Sequence, residues 1–255
     1  MDVDKYQRII ELEIGKLKRE EINLTKDKQQ MELSLLGVSN KSLRKLKIEG
    51  IYLLSQEEQF KILTYAYKNT LISEVITWCL MRLDSFEINF LVSQKEKIIL
   101  LSHSIQTWWH CDLLTKLYAN ILDKKRIFLK DLTELTKSTN IWQRRLSLTS
   151  LLYYSTQREN PLEFEIVSHQ VKMLFDDQEY YVQKGLGWTL RELYNLYPEK
   201  TIEFLEIYIK DLSSIAFQSA CEKVPKEKRD EFKNLRKSAI SNPDEFEKKP
   251  AFERL

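Results

Sequence analysis

The chain has 255 residues, of which 31% are charged, yet its formal net charge is only +2 at pH 7. This near balance argues against a polycation or an acidic disordered chain, and five glycines and five prolines are too few for an all-β fold. Three widely separated cysteines argue against a disulfide framework and for a reducing compartment.

The N-terminus and the hydropathy pattern bear on where the protein resides. The first residues, Met1 to Asp4, are acidic and are followed by no apolar segment, so we expect no signal peptide. No run of about 18 apolar residues is present, so we expect no membrane span. Together these features predict a cytoplasmic protein with no membrane contact, which we expect to be a monomer.

Apolar periodicity predicts one helix after another, separated by short polar breaks. Ser55 and Glu58 form the ends of a capping box, and Pro161, Pro198 and Pro225 mark boundaries between helices. The predicted helices cover residues 3–23, 27–36, 40–49, 56–68, 71–83, 85–103, 106–122, 126–137, 140–156, 161–175, 178–196, 199–211, 213–223 and 226–240.

The spacing of these helices indicates a repeat architecture. From about residue 55 onward they form pairs of roughly 35–40 residues without strands, which is typical of an all-α, HEAT-like α-solenoid, a superhelix of antiparallel helix pairs. An irregular helical bundle fits the periodicity equally well. We predict a single domain over residues 1–240, and a polar, proline-punctuated tail over 241–255.

The predicted helix 106–122 has two notable residues away from its apolar side. Trp108 and Asp112 are neighbours at i and i+4, and both lie well away from the apolar stripe that contains Leu114. A tryptophan beside a carboxylate on a polar face suggests a binding or catalytic surface. The plainer alternative is that Asp112 caps a turn or pairs with Lys116 while the tryptophan packs locally.

The predicted helix 140–156 places a cation within its apolar arc. Arg145 projects near the middle of an arc that includes Trp142 and Leu146. A buried arginine requires an anionic partner. That partner is either Asp112, giving a structural ion pair, or a phosphate group, which suits the planar guanidinium.

The predicted helix 178–196 carries a tryptophan on its polar side. Trp188 lies off the stripe of Leu186 and Leu190 and shares its face with Lys184 and Arg191. Such a residue either packs against the next helix of the array or belongs to a functional surface.

Charge and repeat geometry connect these three helices. Residues 124–158 contain eight Lys or Arg and two acidic residues, a net charge of +6, which is expected of a surface that binds phosphate backbones. Because equivalent helices of a solenoid line one surface, the unusual residues would converge on one cleft. The alternative is that these charges are ordinary solvated helix faces.

Four segments resemble the AlkD-like DNA alkylation repair proteins. Residues 108–112 resemble the family's Trp-x-x-Cys-Asp pattern, and residues 140–145 its Asn-x-Trp-x-x-Arg segment. Residues 181–192 are similar to (Val/Ile)-Gln-Lys-Ala-(Ile)-Gly-Trp-x-Leu-Arg-Glu, with Gly185 in place of the usual alanine, and residues 36–44 resemble the N-terminal Leu-Gly-Val…Leu-Arg element. The segments occur in the family's order over about residues 35–215.

This resemblance implies a HEAT-like fold that binds double-stranded DNA containing alkylated bases. It implies a glycosylase that releases cationic purines such as 3-methyladenine and 7-methylguanine, with Asp112 as the catalytic carboxylate. The implied lesion-contacting residues are Trp108 and Trp188, and Trp109 competes with Trp108 for that role. The expected DNA contacts are Arg145, Arg144, Lys184, Arg191 and Trp142.

Other chemistries find little support in the sequence. His103, His110 and His169 form no HExxH motif and no Cys/His ligand spacing, and we expect neither a metal nor an organic cofactor. Two alternatives to a glycosylase remain, namely a non-catalytic HEAT-like module for damaged or branched DNA and a protein-interaction solenoid.

Overall fold

The computed structural model describes residues 1–20 and 33–241, with side chains up to residue 237. Within these ranges the chain forms α-helices and short 3-10 helices and no strand, which confirms the all-α prediction. Most of the predicted helix 27–36 and, beyond residue 241, the predicted tail fall outside the described residues. Residues 33–36 are not helical.

The α-helices are numbered here in chain order. They are α1 (Val3–Gly15), α2 (Asn40–Lys45), α3 (Glu49–Tyr52), α4 (Gln56–Asn69), α5 (Ser73–Leu83), α6 (Ile88–Ser93), α7 (Lys95–Ile99), α8 (Trp108–Lys124), α9 (Leu129–Leu135), α10 (Ile141–Thr149), α11 (Phe164–Lys172), α12 (Tyr180–Leu196), α13 (Pro198–Tyr208), α14 (Ser214–Ala220) and α15 (Lys226–Ser241). Three 3-10 helices cover Leu100–Ser104, Arg126–Phe128 and Ser155–Gln157.

The chain divides into two compact units, Met1–Asn120 and Ile121–Leu255, and the division falls within α8. In the first unit α4 packs against α1 and α5, and α2 packs against α5. The start of α4 has the predicted capping box, because the Ser55 and Glu58 side chains each bond to the other residue's backbone N–H. Their pairing fixes where the helix begins.

A buried carboxylate organises the segment before α2. Glu74 of α5 accepts hydrogen bonds from the backbone N–H groups of Leu36 at 3.0 Å and Gly37 at 2.8 Å. Gly37 has φ of 78°, a left-handed conformation that glycine adopts without strain. The segment is therefore held by a tertiary contact, which explains why residues 33–36 do not form the predicted helix.

In the second unit α12 is the central helix and packs against α10, α11, α13 and α14. Its predicted apolar stripe is fully buried, with Leu186 and Leu190 both 0% exposed. Gly187 permits close contact with α14, because a Cβ atom at this position would lie 2.3 Å from the carbonyl oxygen of Ala216. No larger residue fits there unless the two helices move apart.

Several predicted helices end earlier or are divided in the structure. The predicted helix 85–103 consists of α6, α7 and a 3-10 turn, and the predicted helix 40–49 ends at Lys45, with α3 beginning at Glu49. The predicted helix 140–156 ends at Thr149, and Tyr154 has a left-handed φ of 47°. Its extension was wrong because Glu192 of α12 binds the backbone N–H of Ser155 at 2.9 Å, and the chain turns to meet it.

Candidate functional site

The first turn of α8 presents two tryptophans in different environments. The Trp108 side chain is exposed, with 41% of its surface accessible. Trp109 is half-buried, and its Nε1–H donates to Oγ of Ser73 at 3.2 Å and to Nε2 of His110 at 3.0 Å. The two indole rings meet edge to face, 5.7 Å apart. Trp108 is thus the tryptophan that is accessible to a ligand. The half-buried Trp109 ring packs edge to face against it.

His110 is a buried hydrogen-bond partner of Trp109. The ring is buried, and burial lowers the pKa of His110 from 6.5 to about 3. The imidazole is therefore neutral near pH 7, so Nε2 can accept the hydrogen bond from Trp109. The sequence analysis did not predict that His110 would accept a hydrogen bond from Trp109, although the two residues are adjacent in the sequence.

Asp112 lies one helical turn beyond Trp108 and is half-buried, whereas Leu114 and Leu117 of the same helix are fully buried. The helical periodicity thus placed Trp108 and Asp112 correctly outside the core. Lys116, considered above as a partner for Asp112, forms an ion pair with Asp84 at 2.7 Å. The first unit therefore has a half-buried aspartate one helical turn from an exposed indole.

In the second unit Arg145 joins α10 to α12. Its side chain is 9% exposed, and its guanidinium donates to the carbonyl oxygen of Tyr181 at 2.9 Å. The Trp142 ring packs on the Tyr181 ring, with 4.9 Å between centroids. A Cβ atom at Gly185 would lie 3.3 Å from Cγ of Arg145, so this glycine lies directly against the arginine stem. The burial of Arg145 is as predicted, but the sequence analysis did not consider a backbone carbonyl partner.

The polar face of α12 carries Lys184, Trp188 and Arg191, all half-buried. Lys184 makes no ion pair or hydrogen bond within the part of the chain that the structure describes. Arg191 forms an ion pair with Glu222 at 2.6 Å, which lowers the pKa of Glu222 through their hydrogen bond. Of the two cations flanking Trp188, Lys184 is the one that no described carboxylate holds by a hydrogen bond, although its charge also acts on Glu222.

Arg144 is held by contacts within the second unit. Its Nε donates to Asp177 at 2.5 Å, and its NH1 donates to the carbonyl oxygen of Ser138 at 2.8 Å. The Arg144 and Asp177 side chains are only 15% and 6% exposed. These contacts fix the start of α10 against the turn before α12, so a DNA contact by Arg144 would require breaking them.

The basic segment 124–158 is less cationic in the structure than its composition suggests. Lys124 pairs with Glu159, and Arg126 pairs with Glu163 at 2.6 Å, and both glutamates lie just beyond the segment. The net charge of +6 counted along the sequence therefore overestimates the local positive charge.

The sequence analysis missed a pair of tyrosines beside Trp188. Tyr153 and Tyr154 follow α10, and their ring centroids lie 5.5 Å and 6.4 Å from the Trp188 ring. The prediction counted Tyr153 within an apolar helical arc, and the turn that brings both rings to Trp188 depends on the contact between Glu192 and Ser155. The sequence feature that could have indicated this cluster is the adjacency of Tyr153 and Tyr154.

A family model described as DNA alkylation repair enzyme matches residues 25–224. The chain belongs to the DNA alkylation repair enzyme family. The resemblance found in the sequence is thereby confirmed, and membership associates the protein with the repair of alkylated DNA. A search of curated proteins gave no match.

Two solved structures resemble this family member. One is a protein from Enterococcus faecalis described as a predicted DNA alkylation repair enzyme, with TM-score 0.60 and 16% identity over 76% of this chain and 90% of that chain. The other is AlkD2 from Streptococcus mutans, with TM-score 0.56 and 16% identity over 88% of this chain and 99% of that chain. At this identity the likeness shows a shared fold, an all-α arrangement of helical repeats.

Neither a membrane-spanning helix nor a metal-binding cluster is found among the described residues of this family member. None of the helices in residues 1–20 and 33–241 is long and apolar enough to cross a membrane. Across the same part of the chain, no group of three or more His, Cys, Asp or Glu residues is arranged to hold a metal ion.

Proposed function

We propose that the protein is a DNA glycosylase that hydrolyses the N-glycosidic bond of cationic alkylated purines, 3-methyladenine and 7-methylguanine among them. The observation that supports this most directly is the partly exposed Asp112 carboxylate one helical turn from the exposed Trp108 indole. A carboxylate stabilises a cation, and an indole face attracts one. Both therefore suit a positively charged nucleotide.

The chemistry relies on the charge of the damaged base. Alkylation at N3 or N7 makes the purine cationic, so it leaves as a neutral base when the bond from C1′ to nitrogen breaks and nitrogen takes the electron pair. The sugar is left with oxocarbenium character, which the Asp112 carboxylate stabilises. A water molecule oriented by the same carboxylate bonds to C1′, and its proton passes through Asp112 to solvent.

DNA contacts are proposed on both units. In the first unit Trp108 contacts the lesion, with Trp109 supporting its ring through their edge-to-face contact. In the second unit Trp188 contacts the DNA, Lys184 and Arg145 bind phosphate groups, and Trp142 supports this face through Tyr181. Among the predicted cations, Arg144 and Arg191 contribute less, because each is paired with a carboxylate.

Base release from methylated duplex DNA tests this proposal. Purified protein is incubated with the duplex, and the released bases are separated by chromatography. We expect release of methylated purines by the wild type, and its loss in Asp112→Asn with DNA binding retained. Asp123→Asn is the matched control, since Asp123 is also a half-buried aspartate of α8 but accepts hydrogen bonds from the backbone of residues 159 and 160. Undiminished release by Asp112→Asn would exclude the assigned role.

A further inference from the structure

The turn after α10 holds an exposed aromatic ring in a strained conformation. Tyr154 has φ of 47°, and it is the one residue other than glycine with positive φ in the described ranges. Its side chain is 51% exposed. A bulky residue in the left-handed region costs free energy that asparagine or glycine would avoid, and such strain is common at binding sites.

Buried contacts on both sides of Tyr154 maintain this conformation. Glu192, itself 5% exposed, accepts hydrogen bonds from the backbone N–H of Ser155 at 2.9 Å and from its hydroxyl at 2.8 Å. On the other side, Nε of Arg158 donates to the carbonyl oxygen of Tyr153 at 2.7 Å. The backbone of the turn is therefore held by the surrounding structure on both sides of Tyr154.

The ring belongs to a continuous aromatic surface. Tyr154 meets Tyr153 edge to face at 4.7 Å and Trp188 at 6.4 Å, so the three rings support one another. Lys184 precedes Trp188 by one helical turn and has no ion pair within the described residues. The face of an exposed aromatic ring next to a cation complements a nucleobase attached to a phosphate backbone.

We infer that the exposed Tyr154 ring, supported edge to face by Trp188, forms a stacking surface for an unpaired nucleobase in duplex DNA. This inference rests on the proposed function and extends it to a structural feature of the DNA, since a damaged base costs less free energy to unstack than an intact one. The surface reads no sequence, because every base has an aromatic face. Tyr154 acts in binding and takes no part in bond cleavage.

Binding to two unmethylated duplexes tests this inference independently of base release. One duplex is fully paired and the other contains a single unpaired base. We expect the wild type to prefer the second about tenfold, in line with the contribution of one stacked base. Tyr154→Asn should lose this preference without loss of folding stability, because asparagine tolerates the left-handed conformation. Tyr154→Phe should retain it.

Tyr180→Asn is the matched control, because Tyr180 is also 51% exposed and packs on Tyr181 instead of Trp188. The inference is overturned if the wild type shows no preference, if Tyr154→Asn keeps it, or if Tyr180→Asn reduces it equally. In these cases paired-duplex binding and base release still support the proposed function. A wild type that binds neither duplex contradicts both.

Discussion

The indole N–H of Trp109 points towards His110, with 3.0 Å between Nε1 and Nε2, while the neighbouring Trp108 ring is exposed. Two adjacent residues of one type therefore have different physical roles. One is tied to the interior by hydrogen bonds and the other is exposed, as the DNA contact proposed for it requires. This difference leads to the first two predictions.

Trp108→Ala should impair DNA repair activity and leave the fold intact. Because the ring is exposed, we expect the free energy of unfolding to change by less than about 1 kcal/mol, while base release decreases. Trp109→Ala should instead cost about 2–4 kcal/mol, since it leaves a cavity and removes a hydrogen bond to Ser73 and His110. Urea unfolding and base release measured on both variants check this. Equal destabilisation by the two substitutions would contradict it.

Folding stability should decrease when the pH falls below about 6.5, and His110 should contribute to this decrease. Its pKa is 6.5 when exposed and about 3 in the folded protein, so between these values the unfolded chain binds the additional proton. The expected slope is about 1.4 kcal/mol per pH unit within this window, and above pH 6.5 the contribution is fully retained.

Unfolding free energies measured at pH 7 and pH 5 isolate this contribution. His110→Gln should show a smaller decrease between the two pH values than the wild type. His169→Gln is the control, because His169 is exposed, and it should behave as the wild type does. A His110→Gln variant with the full wild-type decrease would show that another group causes the pH dependence.

Lys184 should contribute more to DNA binding than Arg191, although both lie on the same face of α12. Lys184→Ala should weaken binding to all duplexes and reduce the salt slope by about one phosphate contact, because it removes an available cation. Arg191→Ala should have a smaller effect, since Glu222 neutralises the guanidinium. Titrations at several salt concentrations measure both quantities.

Releasing Arg191 from its partner should have the opposite effect. In Glu222→Gln the guanidinium loses its 2.6 Å ion pair and keeps the longer one with Glu192 at 3.5 Å, so we expect tighter DNA binding and a steeper salt dependence than in the wild type. The same titrations test this. Weaker binding by Glu222→Gln would mean that the ion pair positions Arg191 for the DNA.

The two glycines of α12 should respond differently to alanine. Gly187→Ala should destabilise the fold by about 3 kcal/mol, because its Cβ would lie 2.3 Å from the backbone of α14. At Gly185 the nearest atoms belong to the Arg145 and Thr149 side chains at 3.3 Å, so Gly185→Ala should change stability by less than about 1 kcal/mol. Thermal or urea unfolding measures both, and comparable losses would contradict the prediction.

The sequence predicted the helical fold and the polar faces of individual helices well. The apolar stripe containing Leu186 and Leu190 is buried, and Trp108 and Asp112 lie outside the core, because helical periodicity alone determines which residues share a face. The segments that resemble the family could also be recognised from the sequence, since each of them is a contiguous run of residues. Their assignment to DNA and lesion contacts stays a prediction.

The remaining features depend on residues far apart in the chain. The sequence could not reveal that Asp177 holds Arg144 or that Glu222 holds Arg191, so it counted as available two cations that are paired. It extended one helix through Tyr154 because local propensity contains no information about Glu192, which lies in another helix. The sequence by itself determined which residues share a helix face, since a helix repeats every 3.6 residues. The tertiary structure decided which of these side chains are free to bind, because each pairing joins groups that only folding brings together.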